Sequence, residues 1–162
     1  MGQPGGSLSL YADASLRRAV PDDTEAMPAL WRRAWASANP QVPSGDVAPP
    51  AHWRARAHSE CFGAAECWLA DGDGGLRGFL VIEPARRYLA QLHVEPAWHG
   101  RGIGRRLLAQ ACERMPDGWT LHMAEDNRRA HRFYAAAGLQ AGARDLHSAT
   151  GRPRIAWHWL PA

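Results

Sequence analysis

The sequence predicts an α+β fold of about seven strands and about four helices. Three observations predict it. Apolar runs of strand length and runs with helical spacing follow the order strand, two helices, three strands, helix, strand, helix, two strands. A Gly-rich bend, His99-Gly100-Arg101-Gly102-Ile103-Gly104, joins a short apolar strand to an amphipathic helix. At 162 residues, with 46% hydrophobic and 22% charged residues, the chain is long enough for one well-filled core.

Residues 1–14 are Gly-rich and polar without a period, and are expected to be a flexible tail ahead of a single domain over 15–162. Leu16 to Val20 reads as the first strand. Pro21-Asp22-Asp23-Thr24-Glu25 is a helix start, because short acidic side chains complement the free N–H groups and positive end of a first turn. Met27, Leu30, Trp31, Ala34 and Trp35 then form one apolar stripe, read as core. A Pro, Ser and Gly loop over 39–50 leads into a second helical run from Ala51 to about Phe62, with Trp53 and Ala57 inward.

Cys67 to Ala70 and Leu76 to Ile82 read as a hairpin whose turn is the Asp-Gly cluster at 71–75. Gly78, inside the second strand, marks a bulge or a close approach of another element. Tyr88 to Val94 is the strand before the bend. Ile103, Leu107, Leu108, Ala111 and Met115 give the helix after it, which stops at Pro116-Asp117-Gly118. Gly118 to Met123 is a fifth strand. Asp126-Asn127 caps a helix ending near Gly138, and Ala141 to Leu146 and Ile155 to Leu160 pair antiparallel around the turn at 150–153.

The bend carries the chemistry. Glycines allow positive φ and close approach of a ligand, and the first N–H groups of the following helix point outward as anion donors. The spacing is not that of a nucleoside triphosphate loop, and it has one Gly too few for G-x-G-x-x-G. It resembles the acyl-coenzyme A signature of the GNAT superfamily of N-acyltransferases, Gln/Arg-x-x-Gly-x-Gly/Ala, here His99-x-x-Gly102-x-Gly104 after the lead-in Val94-Glu95-Pro96-Ala97-Trp98. His99 stands where that family has Gln or Arg. A second block, Asn127-Arg128-Arg129-Ala130-His131-Arg132-Phe133-Tyr134-Ala135-Ala136-Ala137-Gly138-Leu139, resembles the family's Asn-x-x-Ala-x-x-Phe-Tyr-x-x-x-Gly-Phe, with Leu139 in place of the aromatic.

The resemblance implies a mixed, mostly antiparallel sheet flanked by helices. It also implies transfer of an acetyl group from acetyl-coenzyme A to a primary amine by direct attack in a ternary complex. The strand Tyr88 to Val94 is expected to splay from Gly118 to Met123, and an N–H near Leu92, freed by a bulge, to polarise the thioester carbonyl. The implied cofactor-binding set is Leu92, His93, Val94, His99, Gly100, Arg101, Gly102, Ile103, Gly104, Arg105, Asn127 and Tyr134. Arg101, Arg105 and Arg106 suit a ribose 3′-phosphate.

Tyr134 is the candidate general acid, its phenol returning a proton to the coenzyme A thiolate. For the base, His122 is the first candidate, five residues before Asn127, where ribosomal-protein alanine N-acetyltransferases of this family carry a Glu. Tyr88 and Glu83 are the others. His93 ranks below them, since strict alternation turns it to the face opposite Tyr88.

Composition bounds the alternatives. The eight His and three Cys show no C-x-x-C and no His pair three or four apart, so no metal is expected. There is no G-x-S-x-G. All 19 basic residues are Arg, and at a net charge of +3 they are not gathered with aromatics as a nucleic-acid footprint requires. No apolar run reaches membrane-spanning length, no secretory signal is indicated, and three Cys suit a reducing compartment, so the expected setting is the cytoplasm. The expected partner is a small-molecule or peptide amine, with no nucleic acid or membrane; a homodimer is left open. A non-catalytic acyl-coenzyme A binder or partner-docking module on the same fold is the rival reading.

Overall fold

The computed structural model describes residues 14–162, so the expected tail lies almost wholly outside the described residues. The first strand, β1 (Ser15–Arg18), runs antiparallel to β2 (Glu66–Gly72). Between them lie a 3₁₀ turn (Pro21–Glu25), α1 (Met27–Ala38) and α2 (Pro50–Glu60). The helix expected from residue 21 is thus broken. Pro28 has no N–H to donate back to Thr24, so an α ladder cannot run through this point, and the chain restarts as α1.

β2 turns tightly through Asp73-Gly74 into β3 (Gly75–Glu83), with Gly74 at φ 85°. β4 (Tyr88–Val94), α3 (Ile103–Arg114), β5 (Trp119–Ala124), α4 (Arg128–Ala136), β6 (Gln140–Leu146) and β7 (Pro153–Trp159) follow. The sheet has the order β1-β2-β3-β4-β5-β7-β6, and every neighbouring pair is antiparallel except β4 and β5. Among the described residues, seven strands and four α-helices make the expected α+β architecture.

Two apolar clusters sandwich the sheet. On one face Leu80, Ile82, Leu89, Leu121 and Met123 meet Ile103, Leu107 and Ala111 of α3 and Tyr134 of α4. On the other, Leu69, Phe79 and Val81 meet Met27, Leu30 and Trp31 of α1 and Trp53 of α2. Cys61 and Cys67 are buried, while Cys112 is half-buried. Gly78 is a close approach: a Cβ there would stand 2.9 Å from the His93 carbonyl and 3.1 Å from Leu107. Among the described residues no helix is long and apolar enough to cross a membrane.

Two features position the site. First, β4 pairs with β5 at a single step, Tyr88 opposite Thr120, after which the two strands part. Second, β4 carries a bulge: Val81 faces Gln91 and Ile82 faces Leu89, leaving Ala90 unmatched. The bulge corrects the alternation reading. Tyr88 lies opposite Glu83 and His93 opposite Phe79, an even interval along β3, so Tyr88, Gln91 and His93 share the α1–α2 face.

Candidate functional site

Where β4 and β5 part, a cavity of about 570 Å³ opens. Leu92, His93 and Val94 of β4, the bend from Trp98 to Arg105, and Asn127, Arg129, Ala130, Phe133 and Tyr134 form its walls, with Ala34, Ser37 and Ala38 of α1 closing one side. The structure therefore brings together all of the sequence-predicted cofactor residues, from three separate segments.

The backbone of β4 faces this gap in alternate steps. Glu95 N–H donates to Arg77 O (2.8 Å), toward β3, so alternation turns the N–H and C=O groups of Leu92 and Val94 the other way, to the edge β5 has left. His99 closes the bend on this edge: its Nε2 lies 3.0 Å from Val94 O and, facing a carbonyl, must carry the proton. Burial and Arg129 hold the His99 pKa below its usual value, so the ring is a neutral donor. This is what His99 does in place of Gln or Arg.

Gly100 and Gly102 have φ of 76° and 81°, the left-handed region that a side chain strains to enter. Gly102 is the N-cap of α3 and supplies no side-chain cap, so the first-turn N–H groups of Ile103, Gly104 and Arg105 remain available to a ligand. Ile103 contributes backbone only, its side chain being in the core. At Gly104 a Cβ would stand 3.3 Å from the Phe133 ring, filling space beside the bend. Arg101, Arg105 and Arg129 add guanidinium groups to the wall, and both Arg77 (3.7 Å) and Arg101 (4.5 Å) lie over the Trp98 ring. Positive helix end, open amides and Arg side chains together suit a polyanion such as a diphosphate.

Asn127 caps α4, its Oδ1 accepting from Ala130 N–H (3.2 Å). One cavity wall away, Tyr134 packs edge-on against Phe133 (5.0 Å) and is 7% exposed. Its hydroxyl has no hydrogen-bond partner among the described residues, and burial raises its pKa well above the usual phenol value. It is a protonated donor beside a cavity.

His122 and Tyr88 are brought together but not onto the cavity wall. Tyr88 Oη and His122 Nδ1 are 3.0 Å apart at the closed end of the split, on the face shared with Thr120 and His158, themselves hydrogen-bonded at 3.0 Å. Burial, then Arg154, lowers the His122 pKa, and burial raises that of Tyr88. Glu83 points its carboxylate at Arg86 (2.8 Å). His93 is among the residues lining the cavity.

Sequence reading missed the groups that remote segments deliver: Ser37 on the wall, Gln91 and Glu60 behind His93, and Arg152. From the β6–β7 loop Arg152 donates to Asn39 Oδ1 (2.8 Å) and to Asp126 Oδ1 (2.8 Å), tying the end of α1 to the turn before α4. No local motif marks any of them. Among the described residues no cluster of three or more His, Cys, Asp or Glu could hold a metal ion.

Comparison with known proteins agrees with this geometry. Residues 21–139 match the Acetyltransferase (GNAT) family. The chain is 35% identical over 103 residues to a mycothiol acetyltransferase of Kineococcus radiotolerans, covering 60% of this chain and 34% of that protein. It is 36% identical over 75 residues to the peptidyl-lysine N-acetyltransferase YiaC of Escherichia coli K12, covering 46% and 50%. The matches thus span about a third to a half of these relatives' lengths. The crystal structure of the PaiA N-acetyltransferase of Thermoplasma acidophilum in complex with coenzyme A superposes with a TM-score of 0.70 at 18% identity, over 89% of this chain and 98% of that one.

Proposed function

The chain belongs to the GNAT acetyltransferase family, and from that premise we propose that it moves an acetyl group from acetyl-coenzyme A to a primary amine on a small molecule or peptide, within a single domain over 15–162. The observation that carries the reading is the parting of β4 and β5 after one pair, with the walls of the resulting cavity built from unpaired strand backbone and the amides of an uncapped helix end. The bend from Gly100 to Arg105 holds the diphosphate, Arg101 and Arg105 the outer phosphate, and Leu92 and Val94 the arm that ends in the thioester. The Leu92 N–H donates to the thioester oxygen and stabilises the negative charge that grows on it during attack.

In this mechanism the acceptor ammonium gives one proton, through water, to His122, which lies off the cavity wall, is held by Tyr88 and stays in its neutral, proton-accepting form at neutral pH. The neutral nitrogen attacks the thioester carbon and the C–S bond breaks. Tyr134 gives its hydroxyl proton to the sulfur, and the second proton of the amine restores the phenol. One free thiol and one amide result, with one proton released to solvent. His122 and Tyr134 are the catalytic residues of the proposal, and Tyr88 positions His122. The reading places the protein in the cytoplasm, where its free thiols would stay reduced.

Titration calorimetry with acetyl-coenzyme A, followed by thiol release against a panel of primary amines, tests this. Saturable binding and amine-dependent thiol release are expected. No binding would overturn the assignment of the cavity, and binding without thiol release from any amine would favour a non-catalytic acyl-coenzyme A module.

A further inference from the structure

The bulge at Ala90 puts Gln91 and His93 side by side on the α1–α2 face, and they head a hydrogen-bond chain. His93 Nε2 lies 3.0 Å from Gln91 Oε1, Gln91 Nε2 donates to Glu60 Oε2 (3.2 Å), and Glu60 accepts two bonds from Arg56 (2.6 and 3.0 Å). The direction of the chain is set at its far end. A carboxylate paired with Arg can only accept, so the Gln91 amide turns its NH₂ to Glu60 and its oxygen to His93. That oxygen can only accept as well, so His93 carries its proton on Nε2. Nδ1 is left as a bare lone pair with no partner among the described residues.

The ring cannot easily turn to hide that lone pair, because it packs between Trp31 (5.6 Å) and Phe79 (5.3 Å). Nor does it charge: burial, then Arg56, pushes its pKa down to about 3. So His93 is unfit to take a proton from an ammonium, which separates it from His122. It is well fitted to accept an N–H. It lines the cavity one residue from Leu92, and Ser37 of α1 lines the same cavity.

We propose that His93 is the subsite for the attacking nitrogen: Nδ1 accepts one N–H of an uncharged primary amine beside Leu92, while Gln91, Glu60 and Arg56 fix the tautomer. This rests on the acetyl-transfer reading above. Holding one N–H aims the nitrogen lone pair at the thioester carbon and leaves the second N–H to supply the proton the reaction returns. It selects primary over secondary amines, whose single N–H cannot be both held by His93 and given to Tyr134. His93 binds substrate; Gln91 and Glu60 are positioning residues.

Two arms test it. In the first, ¹⁵N spectra of imidazole-labelled protein are recorded with coenzyme A present, before and after adding propylamine at pH 9. A neutral Nε2–H ring is expected for His93, its Nδ1 resonance moving with amine, and Gln91→Leu should mix the tautomers. An Nδ1–H ring, or an Nδ1 resonance indifferent to amine, overturns the proposal. In the second, His93→Phe should lower kcat/KM for the best amine of the panel about 10- to 100-fold with less than twofold change in KM for acetyl-coenzyme A. His93→Asn, whose Oδ1 stands near the lost Nδ1, should recover most of it. An unchanged Phe variant, or equal loss in both variants, overturns it. Failure of coenzyme A to bind would strike the acetyl-transfer reading while the tautomer remains measurable.

Discussion

Replacing Tyr134 by Phe separates chemistry from binding and from stability in a single substitution. The ring is 7% exposed and packs on Phe133, and Phe fills the same space. The hydroxyl has no partner among the described residues, so its removal leaves no donor or acceptor unpaired, and stability should hold within about 0.5 kcal/mol. For a chain of this size that is under about 2 °C in Tm. Acetyl-coenzyme A affinity should also hold, because the wall keeps its shape. Turnover should not.

General acid catalysis contributes about 10²–10⁴-fold. The leaving thiol resembles a Cys thiol with a pKa of about 8.5, so its anion departs tolerably without help and the loss belongs at the low end, about 100-fold or 2.7 kcal/mol. Because burial raises the Tyr134 pKa, the phenol stays protonated across the working range and gives the wild type no alkaline limb below its usual pKa of about 10. Steady-state thiol release, calorimetry and a thermal melt on the two proteins suffice. A Tyr134→Phe variant with wild-type turnover, or one that loses acetyl-coenzyme A affinity in step with turnover, would refute the general-acid assignment.

The remaining predictions concern the base and the bend. His122 has its pKa lowered from 6.5, so its basic form prevails above that depressed value and activity should fall only as pH drops through it; His122→Ala should abolish this acidic limb and cut the plateau about 10²-fold or more, and a retained limb in a pH–rate profile would reassign the base. Gly102→Ala forces a side chain into φ 81°, at a cost of about 1–2 kcal/mol. Calorimetry should show acetyl-coenzyme A affinity weakened about tenfold in a folded protein, and undiminished affinity would mean that the amides of the bend do not hold the ligand.

Much of the fold was legible because each signal was local. The bend from His99 to Gly104, the strand before it and the helix after it are set by glycine freedom and by apolar spacing within a few residues, and the structure has them as β4, a left-handed Gly102 and α3. The start of α1 differs from the one the acidic cap at 21–25 predicts for a local reason, the missing N–H of Pro28. The facing of His93 was misjudged for a different reason. Alternation is a property of a regular strand, and the single unmatched residue that breaks it, Ala90, has a side chain that any strand accepts. Only the register against β3 reveals the bulge.

By itself, then, the sequence determined the element order, the acyl-coenzyme A bend and the second block at Asn127 to Leu139, since these depend on backbone freedom and periodicity that neighbouring residues dictate. Tertiary structure alone decided where β4 and β5 part, that Tyr88 meets His122, that Glu60 of α2 reaches Gln91 of β4, and that Arg152 links the end of α1 to the turn before α4. Each of these joins groups 26 or more residues apart, with Arg152 and Asn39 separated by 113, and no local spacing encodes which distant side chains the packing of a sheet between two helical layers will bring within hydrogen-bond distance of one another.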